Sequence, residues 1–444
     1  MSKYDVIIVG AGPAGLFASY ELLKRDKKKK ILLIDKGKRV EKRKPNEVMC
    51  GIGGAGTFSD GKLTLTANLS HEKAFHLIAK GKYQKILDYV DNIFTDFGVN
   101  SPYYPKKTKD LEELIREATI NDVELIVRKA RHVGTDGLTA VILMMEKFLL
   151  EKGVEIKERT EVVDIVVKKG KVCGVKTKKG EIFSSDIVLL APGRINARWL
   201  QVIAKKYDIG NEFEKVEVGV RVEFPKEIMK RQAETLYETV YKVRTDTYHD
   251  IVRTFCSCPS GMVATETYDG YVCVNGHSNS NHDSENSNFA FLCEINLTSP
   301  VENSVIYAKA IAEVASTIGG GKPLLQTLDD LRCGRRSTWS RLGKSFVNPS
   351  LEDVTPGDIS MALPYRVVKN IIEGLELLDK VMPGINAGST LLYAPEVKLR
   401  SSRIKTKKNL ETSVKGLYVA GDAAGVSGSV TGAAVTGVMF ARGI

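Results

Sequence analysis

No stretch of this sequence approaches the roughly 20 apolar residues of a membrane-spanning helix. The longest weakly apolar tract, TGAAVTGVMFA near the end, is broken by glycine and threonine. Cysteine is scarce and odd in number, 7 scattered over 444 residues, which excludes a disulfide framework and predicts reduced thiols in the cytosol. The opening MSKYDVIIVGAG lacks the parts of a secretory signal, and the expectation is a cytoplasmic protein. There is no internal repeat, no low-complexity linker and no obvious tether between domains. What is present, 43% apolar and 27% charged residues, belongs to a folded globular chain rather than a disordered one. Its length implies two or three domains, interleaved rather than strung as beads.

The charge balance is Lys+Arg 65 against Asp+Glu 54, a net of +11. That excess would attract anionic ligands or nucleic acid. Much of it sits in KRDKKKKILLIDKGKRVEKRK, Lys24 to Lys44, which reads as solvated turns on either side of the strand ILLID rather than as an RNA groove.

The first segment is the most informative. YDVIIVG is a short β-branched run suited to a central parallel strand buried on both faces. GAGPAG follows, then LFASYELLKRD with helical spacing, then a second apolar strand ending at Asp35; together they make one βαβ unit. CGIGGAGTFSDGK (50–62) is too rich in glycine for a helix or regular strand and reads as a loop that approaches something closely. Helices follow: Ile86, Val90, Ile93, Phe94 and Phe97 share one face, and another helix runs from Thr135 to Gly153. VEIKE, EVVDIVV, KVCGVKT and EIFSSDIVLLAPG, separated by KKG turns, predict a β-meander. From about Lys215 to Leu363 period-2 runs predict an antiparallel sheet with a helix near Asn303 to Thr317. The tail reads as strand, glycine turn and helix.

Gly10-Ala-Gly12-Pro-Ala-Gly15 fits GxGxxG, a pattern that means little alone but here has a strand before it, a helix after it and an acid about twenty residues on. Gly10 permits the tight turn, Gly12 lets the backbone approach a pyrophosphate, and Gly15 allows close helix–strand packing. The free amides and positive dipole end of the helix then face the phosphates. Asp35 accepts hydrogen bonds from the ribose hydroxyls of an adenosine. In LYVAGDAAG, Asp422 is set to hold a ribityl or ribose hydroxyl, and the helix from about Ser429 points its N-terminus at the far end of the same cofactor. That favours a flavin, whose reduced ring carries negative charge. Gly425, Gly428, Gly432 and Gly437 would let backbone lie against the ring.

GAGPAG, LLAPGR (Leu189 to Arg194) and GLYVAGDAAG together resemble the FAD-binding proteins of the glutathione-reductase-type superfamily. CGIGGAGTFSDGKL, GVRVEFP, RTFCSCPSG and EVKLRSSRI are similar to a poorly characterised group of FAD-dependent dehydrogenase-like proteins within it. The resemblance covers nearly the whole chain. It implies FAD and an α/β fold: a discontinuous Rossmann-like FAD-binding domain (1–214 and 364–444) with a helical insertion (about 70–131), and an inserted β-rich α+β substrate domain (215–363). Candidate cofactor contacts are Gly10, Gly12, Pro13, Ala14, Gly15, Asp35, Lys36, Gly54, Ala55, Gly56, Ser59, Val162, Ala191, Gly193, Gly421, Asp422, Gly428 and Ser429. Thr57, Ser59 and Lys62 are donors for the flavin N5 and O4 edge. A second strand–GxGxxG–helix unit is missing, as is a CxxC near the N-terminus, so electrons must come from or go to NAD(P)H by transient docking or a redox protein.

Outside this site, Arg221, Arg253 and Arg400 are candidates for holding an anionic substrate group; each taken alone reads first as an ordinary surface or inter-strand ion pair. Glu223 shares a strand face with Arg221, and Arg403 belongs to the same candidate set. Cys256 and Cys258 could form a redox pair or supply an active-site thiol, but CxC is poor spacing for a disulfide; they read first as structural strand thiols and second as pocket-lining ones. His277 is the histidine best placed for proton transfer, and a solvated loop position is its plainer reading; no catalytic acid or base and no metal site is assigned. The resulting expectation is an FAD-dependent oxidoreductase that transfers hydride between flavin N5 and a small organic substrate, an anionic one being the form the arginines would suit. Two alternatives stand beside it: a flavoprotein acting on tRNA, and a non-catalytic FAD-stabilised binding protein.

Overall fold

The computed structural model describes residues 3–444 apart from 44–46, 48, 60, 68–73, 75–76, 107, 213–214, 237, 269–270, 278–283, 296–303 and 399–402. The chain divides into two compact units, one formed by 1–103, 129–214 and 401–444 and the other by 104–128 and 215–400.

The first unit is built on a five-stranded parallel sheet in the order Leu417–Val419, Val188–Leu190, Val6–Val9, Ile31–Ile34, Glu155–Lys157. All but Glu155–Lys157 are short, apolar and closed to water on both faces, as parallel strands require. Period-2 alternation sends their side chains into two separate cores. Val6, Ile8, Leu33 and Leu189 pack with the helices Pro13–Arg25, Thr135–Glu151 and Val430–Gly443. Ile7, Val9, Leu32, Ile34, Val188 and Leu190 pack against the three-stranded meander Val162–Lys168, Lys171–Thr177, Ile182–Ser184 and the helix Ala197–Lys206. The first KKG turn of that meander has both Lys169 (φ 49°) and Gly170 (φ 73°) left-handed, the backbone of a tight hairpin.

The second unit is an eight-stranded mixed sheet centred on Val216–Pro225, which pairs antiparallel with Asn286–Ile295 on one side and Leu391–Lys398 on the other. Val216, Val218, Val220, Val222 and Phe224 enter an apolar core with residues of the helices Ser304–Ile318 and Tyr365–Asp379. Glu217, Arg221 and Glu223 alternate with them and are equally buried. Helical residues expected as one insertion are divided: Lys80–Asp96 lies in the first unit and Lys109–Ile120 in the second. The helix Tyr365–Asp379 and the strand Leu391–Lys398, expected with the cofactor domain, lie in the second unit because the strand pairs with Val216–Pro225.

Candidate cofactor site

Three glycine-bearing segments of the first unit converge. In the first, Gly10 is left-handed at φ 103°, and a side chain there would fall on the Ala191 carbonyl. A side chain at Gly15 would fall on the Gly10 carbonyl. Both glycines are thus required by the turn and by close helix–strand approach. Gly12 is different. Its φ is an ordinary −73°, and a Cβ would meet nothing nearer than Gly54 Cα at 3.8 Å. The protein leaves space in front of it, beside first-turn amides that have no carbonyl ahead of them in the helix Pro13–Arg25. That cradle fits a diphosphate.

Asp35 terminates the second strand. Its Oδ2 accepts from the Ala11 amide (2.9 Å) and its Oδ1 from the Gly37 amide (2.8 Å), so the carboxylate is fixed beside the turn with further lone pairs to offer. Lys36 Nζ donates to Asn196 Oδ1 (2.7 Å). Beyond it opens a cleft of about 410 Å³ lined by Lys36, Cys50, Arg159, Thr160, Glu161 and Thr177, among others. Val162 is buried at the start of the adjoining strand. Ala191 donates its amide to Val9 O (2.7 Å), and Gly193 is left-handed (φ 71°) just after the strand Val188–Leu190.

The second segment is the glycine loop. Gly53 (φ 89°) donates its amide to Ala11 O (2.8 Å), and Gly54 (φ 72°) caps a short 3-10 turn, Ala55–Phe58. A side chain at Gly56 would meet Val430 Cγ2 at 2.6 Å, which ties this loop to the last helix. Arg43 clamps it, donating to Ile52 O (2.8 Å) and Gly54 O (3.0 Å) with its guanidinium over the Phe58 ring. The basic stretch ending at Lys44 is therefore not solvated throughout: Arg43 is buried, and its guanidinium donates to the backbone carbonyls of Glu47, Ile52 and Gly54. Ser59 Oγ donates to Gly56 O (2.7 Å). Thr57 Oγ1 is buried with no hydrogen-bond partner among the described residues, a polar atom that a bound group would satisfy.

The third segment follows Val419. Gly421 (φ 74°) and Gly425 (φ 71°) bracket the turn Asp422–Ala424. Asp422 accepts from Ser427 Oγ (2.9 Å) at Oδ1 and pairs with Arg194 Nη2 (3.2 Å) at Oδ2. Arg194 escaped the sequence reading, since only the fold brings LLAPGR beside GDAAG. Gly428 precedes Ser429, whose side chain caps the helix Val430–Gly443 by accepting from the Gly432 amide (2.9 Å). Gly437 serves packing rather than a ring: a Cβ there would fall on the Ala14 carbonyl of the first helix.

The arginines proposed for substrate are not open to one. Arg253 is buried and makes a two-pronged pair with Glu217 (2.6 and 2.8 Å). Arg221 is fully buried between Asn288, Glu396 and the Cys256 carbonyl. Strand alternation explains both, because the face opposite the apolar core is covered as well, and a buried charge must be paired there. Arg400 lies outside the described residues. Arg403 pairs with Glu212 (2.6 Å) in the first unit. His277 ends its strand exposed.

Residues 215–399 match the family model described as FAD-dependent protein, C-terminal domain-like, and residues 8–93 match that of an NAD(P)-binding Rossmann-like domain. The chain is 26% identical over 479 aligned positions to an uncharacterised protein of Clostridium beijerinckii, covering 100% of this chain and 81% of that one. Among solved structures it is similar to L-proline dehydrogenase from P. horikoshii (14% identical, TM-score 0.40, covering 99% of this chain and 93% of that one). It is also similar to glycine oxidase from Bacillus cereus (14% identical, TM-score 0.38, covering 99% and 94%).

Proposed function

We propose that the chain is an FAD-dependent oxidoreductase of the GxGxxG type that transfers hydride between flavin N5 and a small organic substrate, a reading supported by the two family models it matches. The observation that carries the cofactor assignment is the open space at Gly12 beside unpaired helix amides. In this reading the turn Gly10 to Gly15 holds the diphosphate through main-chain amides, so no side-chain cation is needed there. Asp35, already oriented by two backbone amides, takes the adenosine ribose, with Lys36 and Val162 at the rim of the adenine cleft. Asp422 takes a hydroxyl of the flavin's ribityl chain, and Arg194 and Ser427 fix its carboxylate in place. Gly54, Ala55, Gly56 and Ser59 bring backbone close to the ring, and Thr57 supplies a buried hydroxyl in need of a partner. FAD itself supplies two-electron chemistry that no side chain here offers. Electrons are exchanged with NAD(P)H docking transiently or with a redox protein. Arg221 and Arg253 are closed in ion pairs and are not available to read a charge on the substrate. No described helix is long and apolar enough to cross a membrane; a cytoplasmic setting suits the free cysteines.

The purified protein is expected to be yellow and to release FAD, not FMN, on heat denaturation. A Gly12→Val variant is expected to fold without colour, because a Cβ there makes only an ordinary 3.8 Å contact with Gly54 Cα while the side chain fills the diphosphate's place. A folded variant fully loaded with FAD sinks the assignment. For the reaction, the photoreduced holoenzyme is mixed rapidly with candidate acceptors and reoxidation is followed at the flavin absorbance. A flavin inert to all but slow oxygen points to the binding-protein alternative.

A further inference from the structure

The strand Ile251–Cys258 pairs regularly with its neighbour as far as Phe255 opposite Ala290, then slips, and pairing resumes at Cys258 opposite Asn288. Cys256 and Ser257 on one strand stand against Phe289 alone on the other: a β-bulge. Cys256 sits in it with a left-handed φ of 48°, a conformation that costs a non-glycine residue energy and marks a place where a side chain is re-aimed. Ser257 is turned the other way and anchored, donating to Thr239 O (2.9 Å).

Arg221 holds the distorted segment. Its Nη2 donates both to the Cys256 carbonyl (2.7 Å) and to Cys258 Sγ (3.3 Å). The guanidinium is fully buried, so water does not screen it. Lys398 is in electrostatic reach of Cys256, as is Arg221. Glu396 is shared by both cations (3.3 Å to Arg221, 2.8 Å to Lys398), and Glu266, the other carboxylate near Lys398, bonds Asn275. Cys258 Sγ lies 3.6 Å from the Cys256 carbonyl oxygen. The backbone of Gly276 lies over it, since a Cβ there would stand 2.5 Å from the same sulfur. Cys258 is therefore buried while Cys256 keeps part of its surface exposed. Cys273 and Cys293 of the same unit are different: burial pushes them up to about 12 and about 11, where thiolate is negligible at neutral pH. Residues two apart in a regular strand span about 6.6 Å, at the limit of what a disulfide accepts, and a bulge departs from that spacing.

We propose that Cys256 and Cys258 form a redox dithiol that closes to a disulfide by exchange with a low-molecular-weight disulfide, Cys256 being the attacking thiol and Cys258 the resolving one. Cys256 releases its proton to solvent and attacks one sulfur of the oxidant, forming a mixed disulfide and expelling one thiolate. Cys258, its sulfur beside Arg221, gives up its proton and attacks the Cys256 sulfur, expelling the second thiolate. Two protein thiols lose two electrons and two protons; one small disulfide becomes two thiols. None of this depends on the flavin assignment.

The experiment equilibrates the native full-length protein with oxidised glutathione and maps its cysteine peptides by mass. The exposed Cys333 is the internal clock. The peptide carrying residues 256–258 is expected to lose two hydrogens, carry no adduct, and revert with reduced glutathione. A Cys258→Ser variant is expected to hold a stable glutathione adduct on Cys256 instead. Thiols at both positions that stay free after Cys333 has reacted completely would overturn the proposal. So would a lasting adduct in the unsubstituted protein with no internal disulfide.

Discussion

Glu223 lies at the centre of the second unit with no exposed surface. It accepts from Tyr393 Oη (2.6 Å) and the Ser350 amide (3.1 Å), while its Oε1 has no partner among the described residues. Burial raises its carboxyl above the ordinary 4.5. The folded chain then keeps a proton that the unfolded chain releases, so stability is full below the ordinary carboxylate range and falls as pH rises through the folded value. Glu223→Gln, which keeps shape and loses the charge, is expected to flatten that decline when urea midpoints are measured from pH 4 to pH 9. An unchanged slope would show that Glu223 is already ionised in the fold. Arg253 is the opposite case: its charge is retained because Glu217 meets it prong for prong.

At the scale of elements, the first and last helices of the cofactor-binding unit cross where neither has bulk. Gly437 sits against the Ala14 carbonyl, and Gly421 faces Ala14 Cβ at a potential 3.4 Å. The obstacle at Gly437 is backbone rather than a movable side chain, so Gly437→Val must push the helices apart. Overpacking of this kind costs about 1–3 kcal/mol or more, and the crossing also fixes the N-terminus of Pro13–Arg25. The variant is expected to lose thermal stability and FAD affinity together, read by melting curves and by flavin fluorescence titration. A loss of stability with unchanged affinity would show that the crossing does not position the diphosphate turn.

At the scale of the whole molecule, a net charge of +11 invites comparison with a nucleic-acid enzyme. Many of the cations are already committed, as with Arg43 on backbone carbonyls and Arg221, Arg231 and Arg253 on carboxylates. Turnover of a small substrate is therefore expected to change little between 50 and 200 mM KCl, whereas a ligand held by many phosphates would lose orders of magnitude in affinity over that range. A steep salt dependence, measured as kcat/KM, would revive the tRNA reading.

The parallel sheet, the tight glycine turn and the position of Asp35 at the end of the second strand were legible in the chain itself, because each is local: β-branched runs, glycine spacing and helix periodicity act over a few residues. The same holds for the antiparallel strands of 215–363. Only tertiary structure decided that Arg194 meets Asp422, since 228 positions separate them. It likewise decided that Gly437 serves a helix crossing and that Arg221 and Arg253 are interior. A strand's alternation tells which side chains share a face, but whether that face meets water or another layer depends on segments far along the chain. For the strand Val216–Pro225 that is why charged residues in a period-2 pattern turned out to be buried.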